Sequence, residues 1–219
     1  MDTMKDFSIS ISGQTFVLLA EKAMFWKEEQ MLIISDVHLG KAGHFRKHGI
    51  ALPSSSNENN LHRIDELIQQ RNPKTLLFLG DLFHSEKNAE WNSFKEWRQQ
   101  HKNISFKLVM GNHEIYPTTD YELLGIECYS HYQKSDILFV HDENDIESTS
   151  EVFCISGHIH PAIRLKGKGR QSLRFPCFYK QNTSMFMPAF GNLTGTHTVN
   201  PRKGDLIIAT IDNHLLRIQ

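Results

Sequence analysis

The sequence predicts an α/β fold of two stacked β-sheets, and three observations carry that expectation. Short apolar runs alternate with amphipathic helices through the first half. Strand-like runs follow one another through the second half. No Pro/Gly/Ser-rich linker divides the 219 residues, so one domain over 1–219 is expected.

The elements read as follows. Phe7-Ser8-Ile9-Ser10-Ile11 alternates with the period of a half-buried strand, Gly13-Gln14 turns the chain, and Thr15 to Ala20 returns. Met31 to Ile34 is a continuous apolar run, as in a strand covered on both faces. Asn57 to Arg71 reads as a helix. It places Leu61, Ile64, Leu67 and Ile68 on one side, and Asn72-Pro73 ends it because a residue before proline disfavours the helical region. Thr75 to Leu79 is the next buried strand. Glu86 to His101 is the next helix, whose Trp91, Phe94 and Trp97 form a stripe best read as core packing. Ile104 to Met110 completes a strand–helix–strand–helix–strand series with parallel crossovers. The runs 137–140, 152–156, 162–166, 173–179, 185–190, 206–211 and 215–218 then read as a second, largely antiparallel sheet packed on the first.

Composition excludes several classes of function. With 39% hydrophobic and 22% charged residues, the chain is neither disordered nor membrane-embedded. Its 24 basic and 25 acidic residues give a net charge of -1, which excludes a polycationic nucleic-acid coat but not a local basic patch. Cys128, Cys154 and Cys177 are far apart and form no CxxC pair, so neither a disulfide framework nor a zinc finger is expected. The N-terminal residues lack the order of a signal peptide, and a cytoplasmic location is expected. Histidine stands out at 13 residues and asks for a metal or acid–base role.

Five fragments close five apolar strands: Asp36-Val37-His38, Gly80-Asp81, Gly111-Asn112-His113-Glu114, His141, and Gly157-His158-Ile159-His160. Each alone is an ordinary turn. Together, at the carboxyl ends of strands where α/β sheets bind ligands, they point to one site. On extended backbone, Asp36 and His38 would point the same way and share an ion, and so would His158 and His160. Carboxylate, imidazole and amide oxygen suit Mn2+, Fe2+ or Zn2+, and the glycines at 80, 111 and 157 would let the backbone turn tightly toward the ions.

This set resembles the calcineurin-like metallophosphoesterase superfamily. The strings His38-Leu39-Gly40-Lys41 with Phe45-Arg46, Leu79-Gly80-Asp81-Leu82-Phe83-His84-Ser85, Phe175-Pro176-Cys177-Phe178, Pro188-Ala189-Phe190-Gly191 and Leu193-Thr194-Gly195 resemble, more narrowly, the bacterial DNA-ligase-associated metallophosphoesterases. Those are Mn-dependent phosphodiesterases or nucleases linked to DNA repair. The likeness runs from about residue 5 to the C-terminus. It implies a four-layer sandwich: two mixed β-sheets face to face, flanked by helices. It implies two divalent ions, Mn2+ first. Asp36, His38 and His160 would hold one, Asn112, His141 and His158 the other, and Asp81 would bridge them. His113 would face the scissile phosphate. It further implies a nucleic-acid or other phosphodiester substrate and a functional link to a DNA ligase or helicase.

Glu114 stands where related nucleases usually carry Asp, a change the superfamily tolerates. Lys41, His44, Arg46 and Lys47 follow the first motif and could grip a substrate phosphate, Arg46 best because its planar fork meets two oxygens. His84 is a candidate partner behind a ligand. The acidic run Asp142, Glu143, Asp145, Glu147, Glu151 reads as a solvated loop or, less simply, as a screen against polyanions. Lys166-Gly167-Lys168-Gly169-Arg170 reads as a hairpin turn that could track phosphates. Two other functions are weighed against nucleic-acid hydrolysis: hydrolysis of a small nucleotide or lipid-precursor ester, and a non-catalytic scaffold. The second is disfavoured because all eight key positions are filled.

Overall fold

The computed structural model describes residues 4–41, 55–84, 89–112, 114, 116–145, 152–167 and 171–219, with backbone alone at 55–59 and 89. Its first sheet starts with β1 (Asp6–Ile11), β2 (Gln14–Leu19), β3 (Ala23–Trp26) and β4 (Met31–Ser35), each antiparallel to the next. Helix α1 (Ser55–Arg71) leads to β5 (Thr75–Leu79), α2 (Ala89–Gln100) to β6 (Ser105–Val109), and the short α3 (Thr118–Glu122) to β7 (Ile126–Tyr129). From β4 to β7 the strands run parallel, in sequence order.

The second sheet holds β8 (Tyr132–Lys134), β9 (Ile137–Val140), β10 (Phe153–Ser156), β11 (Pro161–Lys166), β12 (Ser172–Lys180), β13 (Ser184–Phe186), β14 (His197–Thr198), β15 (Leu206–Ile211) and β16 (His214–Arg217). It is mixed. β9, β10 and β13 run parallel, while β11–β12, β12–β15 and β15–β16 pair antiparallel. Lys166 to Arg170 does join a hairpin, closed by Gly167 N–H on Gln171 O at 3.0 Å; residues 168–170 lie outside the described residues.

Strand alternation explains the continuous apolar runs. In β4, Met31 and Ile33 enter the core between the sheets, with Phe139, Ile155, Phe178 and Ile208. Leu32 and Ile34 face the other way, onto Ile64 and Leu67 of α1 and Phe94 of α2. Both faces are dry, so every position is apolar. Trp91, Phe94 and Trp97 are buried in a cluster with Phe83, Phe106, Tyr116 and Tyr121, which bears out their reading as core. Cys177 is also core.

The described α-helices lie on the outer face of the first sheet. Part of the second sheet's outer face is covered by its own strands, where Ile163 of β11 and Val199 beyond β14 pack on Cys177, Tyr179 and Ile207. Among the described residues no helix is long and apolar enough to cross a membrane.

Register positions the site. Ser35, Leu79 and Val109 pair side by side as the last residues of three parallel strands. Val140 pairs with Ser156 at the ends of β9 and β10 in the facing sheet. The five fragments therefore leave the two sheets at one shared edge.

Candidate metal centre

Two groups of side chains meet at that edge. Asp36, His38 and His160 offer ligand atoms within 4.8 Å of one another, and so do Asp36, Asp81 and His141. Asp81 faces both ways. Its Oδ2 lies 3.1 Å from His38 Nε2, and its Oδ1 lies 3.5 Å from His141 Nε2. That same His141 nitrogen is 3.2 Å from Asn112 Oδ1 and 3.1 Å from His158 Nδ1. Asp36 Oδ1 stands 3.2 Å from His160 Nε2. Asp36, His38, Asp81, Asn112, His141, His158 and His160 thus lie side by side at one edge, with Asp36 belonging to both groups.

The backbone that achieves this differs from the expected extended form. Asp36 (φ 51°), His38 (φ 51°), Asp81 (φ 43°), His158 (φ 63°) and His160 (φ 47°) are all left-handed. The strands stop at Ser35 and Ser156, and tight turns, not strand alternation, bring the i and i+2 side chains together. Such conformations are disfavoured for residues with a Cβ and cluster at functional sites. The glycines also act otherwise than expected. Gly80 is left-handed at φ 75°, but Gly111 and Gly157 are not. A Cβ on Gly111 would collide with Asp81, and one on Gly157 with Ser35 and Asp36. These two are glycines because ligands pass where a side chain would stand.

Buried polar atoms test whether a cation fits. Asp36 Oδ1, His141 Nδ1 and His160 Nε2 are buried without a hydrogen-bond partner, an expensive arrangement unless something else satisfies them. The other atoms of the same groups are tied down. Asp36 Oδ2 accepts from Ser35 Oγ–H and, at 3.2 Å, from His158 N–H. His160 Nδ1 lies 3.1 Å from Gly195 O, which favours a proton there and leaves the Nε2 lone pair directed inward. His158 Nε2 faces Asp142 Oδ2 at 3.4 Å, leaving Nδ1 toward His141. Burial lowers the His38 pKa against the pull of Asp81, which favours the neutral imidazole a cation requires. Oxygen and imidazole donors of this kind fit borderline divalent cations.

Sequence reasoning passed over three of these contributors. Ser35, Gly195 and Asp142 hold ligands without being ligands. Asp142 is not a solvated loop residue: its side chain is 19% exposed and backs His158. Its position beside His141 was the only available signal. Asp142→Ala is expected to weaken uptake of one of two divalent ions by about 10–100-fold, read by Mn2+ titration. Unchanged uptake would remove Asp142 from this role.

Glu114 fits by reaching away from the cations. Its Oε1 accepts from Leu82 N–H and its Oε2 from Tyr121 O–H, bracing the loop that carries Asp81. Burial pushes its carboxyl up to about 7. Lys41 is half-buried at the site, where burial lowers its pKa against the attraction of Asp81 and Asp36. The His84 ring meets His38 edge-on, with centroids 5.1 Å apart. His113, His44, Arg46 and Lys47 lie outside the described residues, as do Glu147 and Glu151.

The calcineurin-like phosphoesterase family model matches residues 30–197, and the chain belongs to that family. The chain is similar to the nuclease MPE of Pseudomonas putida at 25% identity and a TM-score of 0.79, over 97% of this chain and 100% of that one. A weaker likeness joins it to the phosphoesterase YfcE of E. coli, at 14% identity and a TM-score of 0.42, over 83% of this chain and 88% of that one. No curated protein sequence is significantly similar. The chain is thus a metallophosphoesterase: a hydrolase of phosphoester bonds whose Asp and His groups could hold divalent ions.

Proposed function

We propose that this chain hydrolyses phosphodiester bonds in nucleic acid, using two divalent ions of which Mn2+ is the leading candidate. The observation that carries the reading is Asp81, whose two oxygens face separate ligand sets. Bound there, a divalent pair neutralises the charge building on a phosphate and makes hydroxide available near neutral pH.

The chain's own residues divide the remaining work. Asp36, His38 and His160 hold one ion, Asn112, His141 and His158 the other, and Asp81 joins the two. Lys41 stands ready to draw an anionic substrate to the site. His113 follows the Asn112 ligand and is assigned, from the family resemblance, to the leaving oxygen. His113→Ala is expected to lower turnover by about 10²–10⁴-fold while divalent uptake stays intact. Loss of the ions in that variant would contradict the assignment.

Similarity to a protein described as a nuclease supports nucleic acid as substrate, as does the family resemblance, which adds a functional link to a DNA ligase or helicase. Asp142 beside His158 favours a second reading, a small diester in place of a long polyanion. The deciding experiment is an activity panel. The metal-loaded chain is offered bis- and mono-nitrophenyl phosphate, DNA and RNA oligonucleotides, and small nucleotide esters. Oligonucleotide cleavage supports the proposal; hydrolysis confined to small esters supports the second reading; no hydrolysis with any divalent metal rejects both.

A further inference from the structure

A polar cavity of about 580 Å³ contains none of the metal centre's ligands. Its lining includes Lys5, Lys22 and Arg63 and three carboxylates, Glu21, Glu66 and Asp212. The β2–β3 turn supplies Lys22, α1 supplies Arg63, and the β15–β16 turn supplies Asp212. Because β3 is antiparallel to β4, the β2–β3 turn lies at the same end of the sheet as Asp36.

Among the described residues, two cations there form no ion pair. Arg63 gives its hydrogen bonds to neutral acceptors: Nη2 to Glu21 O at 2.7 Å, and Nη1 to Phe190 O at 3.0 Å, to Asn192 Oδ1 at 3.2 Å and to Asn60 Oδ1 at 3.4 Å. Its guanidinium lies flat on the Phe190 ring, 3.9 Å from the centroid. Among the described residues neither Arg63 nor Lys22 forms an ion pair. Glu21 and Glu66 attract Arg63 without forming an ion pair with it, whereas the Coulomb neighbour acting on Lys22 is Arg63 itself. Lys22 and Arg63 are only partly buried, yet two like charges side by side still repel each other, and an anion between them would relieve that repulsion. A single loop connects this cavity to the metal centre. Phe190 N–H and Gly191 N–H donate to Ser35 O and Asp36 O, and the next residue, Asn192, holds Arg63.

We propose that this cavity is a phosphate-binding site, separate from the metal pair, in which Lys22 and Arg63 take up a phosphate group. The phosphate belongs either to a polynucleotide strand whose scissile bond lies at the metal centre or to a free phosphate compound. Only the first source rests on the proposed nuclease activity. Arg63, held in place by its protein acceptors, contributes a fixed positive charge, and Lys22 supplies a point charge beside it.

The test reads Lys22 directly. Burial, with Arg63 adding repulsion, lowers its ammonium to about 7, so at pH 6 a fraction of it is free amine while exposed lysines are almost wholly charged. The metal-loaded chain is labelled briefly with acetic anhydride, and each lysine is quantified by mass spectrometry. A bound phosphate favours the ammonium, raising its pKa. A rise of about one unit cuts the free-amine fraction, and hence the Lys22 labelling rate, by about tenfold. Exposed Lys74 should keep its rate.

Protection of Lys22 by inorganic phosphate supports the site. Protection by a DNA oligonucleotide but not by inorganic phosphate also supports it, and assigns the phosphate to a strand. If neither protects Lys22, or if protection is confined to Lys41 at the metal centre, the inference is overturned. Diester hydrolysis is assayed on the same preparation. A hydrolytically active chain with unprotected Lys22 loses this site alone, and an inactive chain with protected Lys22 loses only the proposed activity.

Discussion

Asp81→Asn is expected to abolish hydrolysis, with a drop of about 10³-fold or more, equivalent to several kcal/mol of lost transition-state stabilisation. Asp81 turns a different oxygen to each ligand set, with His38 at 3.1 Å on one side and His141 at 3.5 Å on the other. An amide offers one neutral oxygen in place of two anionic ones, so it cannot serve both sets. The stability signature separates this from misfolding. Asp36 and Asp81 are both buried, and their charges repel when no cation joins them. The metal-free variant should therefore melt no lower than the metal-free parent. Mn2+ should stabilise the parent, by about 2.7 kcal/mol at a hundred times the dissociation constant, and should leave the variant almost unmoved. An Asp81→Asn chain that binds two ions and stays active would contradict the bridging role.

Gly111→Ala carries the second large effect and adds only a methyl group. The new Cβ would fall well inside van der Waals contact of the Asp81 side chain and its backbone nitrogen. Backbone strain is not the reason, since Gly111 does not occupy the left-handed region. Overpacking of this kind costs about 1–3 kcal/mol, and here the group forced aside is the bridging carboxylate. The expected result is a folded chain of lowered melting temperature, with metal uptake and hydrolysis both reduced at least tenfold. Normal uptake in this variant would mean that Asp81 can move without disturbing either ligand set.

The fold was readable where burial writes a pattern. Met31 to Ile34 and Thr75 to Leu79 are apolar at every position because one face meets the helices and the other meets the facing sheet. β3 went unread. Ala23–Trp26 is four residues long, shows no alternation and is flanked by Lys22 and Lys27, so nothing marks it until Met24 is seen paired with Ile33. The edge strand β7 and the two-residue β14 are equally faint. Strand β13 ends at Phe186, earlier than its apolar run, because Phe190 and Gly191 leave the strand to bond the backbone of Ser35 and Asp36.

The site was readable through its residue types, and its geometry was not. Asp, His and Asn at the ends of successive strands announce a metal centre, and the ligand sets followed from resemblance. What sequence could not convey is the left-handed turn at five of the seven positions, because that region is uncommon for any residue with a Cβ, even though aspartate and histidine enter it more often than most. The supporting contacts were hidden for a different reason. Ser35 on Asp36, Gly195 on His160 and Asp142 on His158 depend on tertiary proximity, and two of the three use ordinary polar side chains common on any surface.

The most direct measurement is the stoichiometry and coupling of bound manganese. The purified chain is loaded with Mn2+, freed of excess ion, and examined by elemental analysis and electron paramagnetic resonance. Two ions per chain with a spectrum of exchange-coupled Mn2+ are predicted, because one carboxylate joins the two ligand sets. One ion per chain, or two that behave as isolated centres, would contradict the bridged pair.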